Sequence, residues 1–179
     1  IEMGANHQKE IEFLCNIAKP TYGVITNIGK AHLEGFKNLD GVIKTKNELF
    51  QFIVKNKGRL FVNAEDELLL KLSNIIEKTT YGYNGDVSGE ILSTTPLVHI
   101  NYKGNIIKSQ LIGRFQYTNI MLAICIGDHF NISNDNIQQS IERYIPSNNR
   151  SQIIETNNNT LILDAYNANP SSMRAMLVS

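Results

Sequence analysis

Four residues of this sequence, Glu2, His32, Lys46 and Asp164, have types and placements that could do chemistry. Each lies at or beyond a short apolar run, where a buried strand gives way to small and polar residues. Glu2 lies in IEMGANH. A carboxylate at a strand end, followed by small residues that leave room, is an oxygen ligand suited to magnesium. Its ordinary alternative is a glutamate facing solvent. His32 stands four residues past the run YGVITNI. Its imidazole can ligate a metal, move a proton or simply serve the structure. Lys46 lies in IKTKNELF. It is either a solvated charge or a neutral amine that reacts with carbon dioxide to give a carbamate, another oxygen ligand for a hard cation. Lys44 would point elsewhere on the same helix.

A second group suits a nucleotide. Asp164 closes the run TLIL, where a carboxylate can accept from ribose hydroxyls. Asn119 can donate to and accept from the edge of adenine, or satisfy backbone groups at a helix start. Arg150 follows a polar loop and can fork onto a phosphate, or lie on the surface as a plain charge. Asn167 and Asn169, in the polar turn Tyr166–Asn167–Ala168–Asn169–Pro170, can cap a helix that starts near Pro170.

The elements that must hold these residues alternate. Ile1–Met3 reads as the end of a strand, His7–Ala18 as a helix and Tyr22–Ile28 as a buried parallel strand. Asp40–Lys55 reads as a helix, Arg59–Val62 as a strand and Asp66–Glu77 as a helix. This order predicts an α/β fold, a mostly parallel sheet flanked by helices. Thr79–Ile112 then carries short β-like runs at Thr80–Tyr83, Val87–Thr94, Leu97–Tyr102 and Ile106–Ile112. They predict a small antiparallel subsheet, with a hairpin at Lys103–Gly104–Asn105. Helices are expected at Thr118–Phe130 and Asn134–Tyr144, and strands at Ser151–Glu155 and Thr160–Asp164.

Composition narrows the function classes. The 179 residues are 42% hydrophobic and 19% charged, an ordinary globular balance. A formal net charge of +0 gives no support for a nucleic-acid partner. No apolar run is long enough to span a bilayer. Cys15 and Cys125 lie in helical apolar patterns and are expected to be reduced and buried, as in a cytoplasmic protein. The sequons at Asn131, Asn149 and Asn158 are read as chance in an asparagine-rich chain. Gly23–Lys30 imitates a phosphate loop, but its glycines are one residue too far apart. Ala31 also stands where a Ser or Thr should meet magnesium, so the segment is not a P-loop.

Four strings together, EMGANH, ITNIGKAHLEGF, KTKNELF and DAYNANPSSM, resemble the Mur ligase family, most closely its MurF type. The resemblance covers nearly the whole chain. It implies the central ATP-binding domain of a three-domain enzyme, with a P-loop-type, mostly parallel sheet and a small antiparallel subsheet. On this reading the chain spans the domain downstream of the family's phosphate loop. The N-terminal UDP-binding and C-terminal Rossmann-like domains lie outside residues 1–179, and the piece alone is inactive. The implied reaction joins D-alanyl-D-alanine to UDP-MurNAc-tripeptide through an acyl phosphate in peptidoglycan synthesis, using ATP and two Mg2+ ions, in a monomeric cytoplasmic bacterial parent. The implied metal ligands are Glu2, His32 and a carbamylated Lys46, with His32 and Lys46 as the catalytic pair. The implied nucleotide residues are Gln116 and Asn119 for adenine, Asp164 for ribose and, in the loop before the last strands, Arg150. Phe115 and Gln116 depart from the family's His and Asn. The same layout also suits a sister ligase that adds an amino acid, a folylpolyglutamate-type ligase, or a binding module without catalysis.

Overall fold

A computed structural model describes residues 1–29, 36, 38–147, 149–165, 173, 174 and 177. The chain divides into two units, Ile1–Asp86 and Val87–Ser179.

In the first unit, α2 (Leu39–Lys55) is the longest helix, and its sequence explains both of its ends. Asn38 has extended backbone and accepts the Gly41 N–H on its side chain at 2.9 Å, supplying an N-cap. Val42, Thr45, Phe50 and Ile53 are its buried stripe. At the far end Lys57 enters the left-handed region at φ 55°. Gly58 N–H bonds Ile53 O at 2.9 Å and Lys57 N–H bonds Val54 O at 3.1 Å. That pair of bonds is a Schellman closure, which satisfies two orphan carbonyls.

Strands β1 (Tyr22–Val24), β2 (Arg59–Asn63) and β3 (Lys78–Tyr81) form a parallel sheet in that order. The central strand buries Leu60, Phe61 and Val62 in succession, as a strand covered on both faces should. Ile25, Phe50, Ile53, Leu60, Val62 and Leu69 make the core. Gly23 lets α2 approach β1 closely, since a Cβ there would lie 3.1 Å from Ile53 Cγ1.

Three expectations need correction in this unit. Residues 1–5 form no strand: they make no ladder with β1, which pairs only with β2 among the described residues. The run around Thr80 joins the parallel sheet as β3 rather than the antiparallel one, because it pairs with β2. Helix α3 covers only Glu67–Leu72. Ser73 ends it by donating its N–H to Leu69 O at 3.1 Å, while the Ser73 carbonyl accepts from Lys78 Nζ at 2.8 Å. Helix α1 runs from Glu10 to Ala18.

The second unit holds the antiparallel sheet β4 (Glu90–Ser93), β5 (His99–Tyr102) and β6 (Asn105–Lys108). Lys103 and Gly104, at φ 51° and 85°, make the two-residue turn between β5 and β6. Helix α4 (Gln116–His129) buries Tyr117, Ile120, Met121, Ile124 and Cys125. Helix α5 (Asn134–Arg143) is capped by Ser133. It covers the β6 edge through side chains: Gln138 Nε2 donates to Ile106 O at 2.9 Å, and Lys108 N–H donates to Glu142 Oε1 at 2.9 Å. Strands β7 (Gln152–Glu155) and β8 (Thr160–Leu163) pair antiparallel. Cys15 and Cys125 are buried and not joined in a disulfide, as expected. Among the described residues, no helix is long and apolar enough to cross a membrane.

Candidate active site

Lys46 sits on α2, half-buried, and donates from Nζ to the Asn27 carbonyl at 2.7 Å. Burial pushes its pKa below the ordinary lysine value, because desolvation penalises the ammonium. Lys44, on the same helix, is exposed. The structure thus separates two lysines that periodicity alone could not rank. An amine that loses its proton more readily reacts more readily with carbon dioxide, so Lys46 fits a carbamate.

Glu2 is exposed, on the segment that leads into α1. That segment is held at several points. The Cys15 thiol lies 3.8 Å from Met3 Sδ. Asn6 and His7 N–H groups donate to Glu10 Oε2 at 2.7 and 3.1 Å, which holds the Glu10 carboxyl below the usual carboxylate range. Lys9, just before helix α1, is left-handed and gives the helix no side-chain cap. The cap arrives from α2: Glu48 Oε1 accepts the Lys9 N–H at 2.8 Å, and Glu48 Oε2 accepts the Glu12 N–H at 3.0 Å.

His32 lies outside the described residues, as do Tyr166, Asn167 and Asn169. Among the described residues, no group of three or more His, Cys, Asp or Glu side chains could hold a metal ion. The donor chemistry nonetheless fits a hard cation. Glu2 offers carboxylate oxygens, and a carbamate on Lys46 would offer two more.

The second unit brings three of the expected nucleotide residues together. Gln116, Asn119 and Arg150 line one cavity of about 460 Å³, with Ile120, Tyr144 and Pro146. Asn119 Nδ2 donates to Gln116 Oε1 at 2.9 Å. This bond commits one polar atom of each amide. The Gln116 NH2 remains a donor and the Asn119 Oδ1 an acceptor for a ligand. One donor beside one acceptor suits the edge of a purine, so the residues fit a nucleotide base.

Asp164 is not among the described residues that line this cavity. Its Oδ1 accepts both the N–H and the hydroxyl of Ser151, at 3.0 and 3.1 Å. Ser151 is 3% exposed and left-handed at φ 51°. The Ala165 N–H bonds Asn149 O at 3.0 Å. The end of β8 therefore grips the chain on both sides of Arg150. Sequence reasoning missed Ser151 and Glu48. Ser151 carried no signal. Glu48 carried an indirect one: α1 starts without a Ser, Thr, Asp or Asn cap, so its amides need an acceptor from elsewhere.

The sequence profile of the Mur ligase middle domain matches residues 1–127. The UDP-N-acetylmuramoyl-tripeptide–D-alanyl-D-alanine ligase of Bacillus subtilis is 28% identical over 99% of this chain and 40% of its own length. That of Rickettsia prowazekii is 32% identical, over 98% of this chain and 42% of its own. The crystal structure of MurF from Acinetobacter baumannii superposes with a TM-score of 0.82 at 28% identity, over 98% of this chain and 40% of that one. The chain spans about 40% of the length of the curated relatives it matches. The profile match, with the parallel sheet and antiparallel subsheet described above, shows that this chain belongs to the Mur ligase middle domain family.

Proposed function

We propose that this chain is the central, nucleotide-handling part of a bacterial ligase that joins D-alanyl-D-alanine to UDP-MurNAc-tripeptide at the expense of ATP. The observation that carries the nucleotide half of this reading is the cavity shared by Gln116, Asn119 and Arg150. The choice of acceptor rests on the names of the relatives.

In this reading Gln116 and Asn119 read the adenine edge, and the Arg150 guanidinium takes a phosphate oxygen. Asp164 has one oxygen occupied by Ser151 and keeps Oδ2 for the ribose hydroxyls. Glu2, His32 and a carbamylated Lys46 would hold two magnesium ions. Magnesium, when bound, neutralises charge on the phosphate oxygens. A carboxylate oxygen of the tripeptide displaces ADP from the γ-phosphorus and forms an acyl phosphate. The dipeptide amine then adds to the acyl carbon and phosphate departs, leaving an amide. The chain's part is positioning and charge stabilisation rather than covalent chemistry. The parent acts in the cytoplasm, where the two buried cysteines stay reduced.

The test is phosphate release by the full-length protein with ATP, magnesium and UDP-MurNAc-tripeptide. Release that requires D-alanyl-D-alanine supports the assignment. Release that requires a single amino acid or a glutamate moves it to a sister ligase, and no release with any acceptor leaves a binding module.

A further inference from the structure

We infer that Glu48 is a positioning residue that couples the segment carrying Glu2 to the helix carrying Lys46. This rests on the reading of Glu2 and Lys46 as metal ligands. Glu48 stands two positions after Lys46 on α2 and so points away from it around the helix. Its two carboxylate oxygens are both spent on α1, on the Lys9 N–H at 2.8 Å and the Glu12 N–H at 3.0 Å.

These are the amides that a helix normally caps from its own chain. Lys9 cannot do so: its ammonium has no acceptor, and it donates to Glu12 at 2.8 Å. A charge-assisted bond from a carboxylate to a backbone N–H is among the stronger hydrogen bonds a protein makes. A carboxylate also suits the positive end of a helix. Glu48 therefore sets where α1 begins relative to α2. Upstream of that point, the Glu10 carboxylate collects the Asn6 and His7 amides, and Met3 rests against Cys15. The segment between Glu2 and the clamp is thus tied at Met3, Asn6 and His7. A loose clamp would let the Glu2 carboxylate wander relative to Lys46, and a misplacement of about 1 Å is enough to spoil a charge-stabilising site.

The test compares Glu48→Ala, Glu48→Gln and Glu2→Ala in the full-length protein loaded with ATP. Manganese affinity is read by electron paramagnetic resonance, and backbone amide exchange is followed at residues 6–12. Glu48→Ala is expected to speed exchange at Lys9 and Glu12 and to weaken manganese binding about tenfold. Glu48→Gln keeps one acceptor and should fall between it and the parent. Fast exchange with unchanged manganese affinity would make Glu48 a helix cap only and overturn the proposal, as would unchanged exchange. Unchanged affinity in Glu2→Ala as well would overturn the metal reading itself, and this proposal with it.

Discussion

Lys46 reaches across from α2 to the carbonyl of Asn27, 2.7 Å away, just beyond β1. This contact gives the lysine a neutral acceptor, and no carboxylate among the described residues offsets its burial, which lowers its pKa. The same α2 turns Lys44 to solvent. The contrast yields the first prediction. With 13C-bicarbonate, the protein should show a carbamate resonance that survives Lys44→Ala and vanishes in Lys46→Ala. Ligase activity should fall in Lys46→Ala by roughly 10²-fold or more, the scale of losing one charge-stabilising contact. Added bicarbonate should not restore it. Near-normal turnover in that variant would end the carbamate reading.

The lowered pKa also sets a pH dependence of stability. Below the folded pKa both folded and unfolded chains are protonated, and the folded state carries the whole desolvation penalty. Between the folded value and the ordinary lysine value of 10.5, the unfolded chain binds more protons, so stability rises with pH. Above 10.5 the penalty is gone. Lys46→Met has no such group. Its stability advantage over the parent should therefore shrink as pH climbs toward 10.5, measured by urea unfolding at a series of pH values.

Asn119 and Gln116 act as a pair through their 2.9 Å bond. Asn119→Ala should weaken ATP binding by about 1 kcal/mol, roughly fivefold, by equilibrium dialysis. Its melting temperature should stay close to the parent's, because Asn119 is exposed. Gln116→Ala combined with Asn119→Ala should cost less than the sum of the two, since each single change already breaks the shared bond.

Asp164 offers a clean separation of structure from binding. Asp164→Ala leaves the buried Ser151 N–H and hydroxyl without this acceptor and should cost about 1–3 kcal/mol. That is about 2–4 °C in melting temperature per kcal/mol for a chain of this size. Asp164→Asn keeps the carbonyl oxygen and should melt near the parent. If Oδ2 serves the ribose, both variants should weaken nucleotide binding; if only Ala does, the residue acts through the loop that carries Arg150.

What could be read from the sequence was what is written locally. Helix α2 announces itself by its stripe and cap, and the β5–β6 hairpin by Lys103–Gly104. Asn119 and Arg150 stand out by side-chain chemistry and Gln116 by the family resemblance, and the fold gathers the three at one cavity. Other features depend on partners far along the chain. Thr80 belongs to β3 because β2 lies beside it, and nothing in TTYGY encodes that neighbour. Ile1–Met3 looks like strand but finds no ladder among the described residues. The Ser151–Asp164 and Lys9–Glu48 bonds span 13 and 39 residues, so no short window holds both ends.

The central claim is that a tripeptide carboxylate is phosphorylated and then aminated. Its most direct test is an oxygen transfer in the full-length protein. UDP-MurNAc-tripeptide labelled with 18O in its terminal carboxylate is turned over with ATP and D-alanyl-D-alanine, and the released phosphate is weighed. The account predicts one 18O atom in each phosphate, carried over when the acyl phosphate breaks. Phosphate with no label, formed at full rate, would mean that water attacks the nucleotide, and would contradict it.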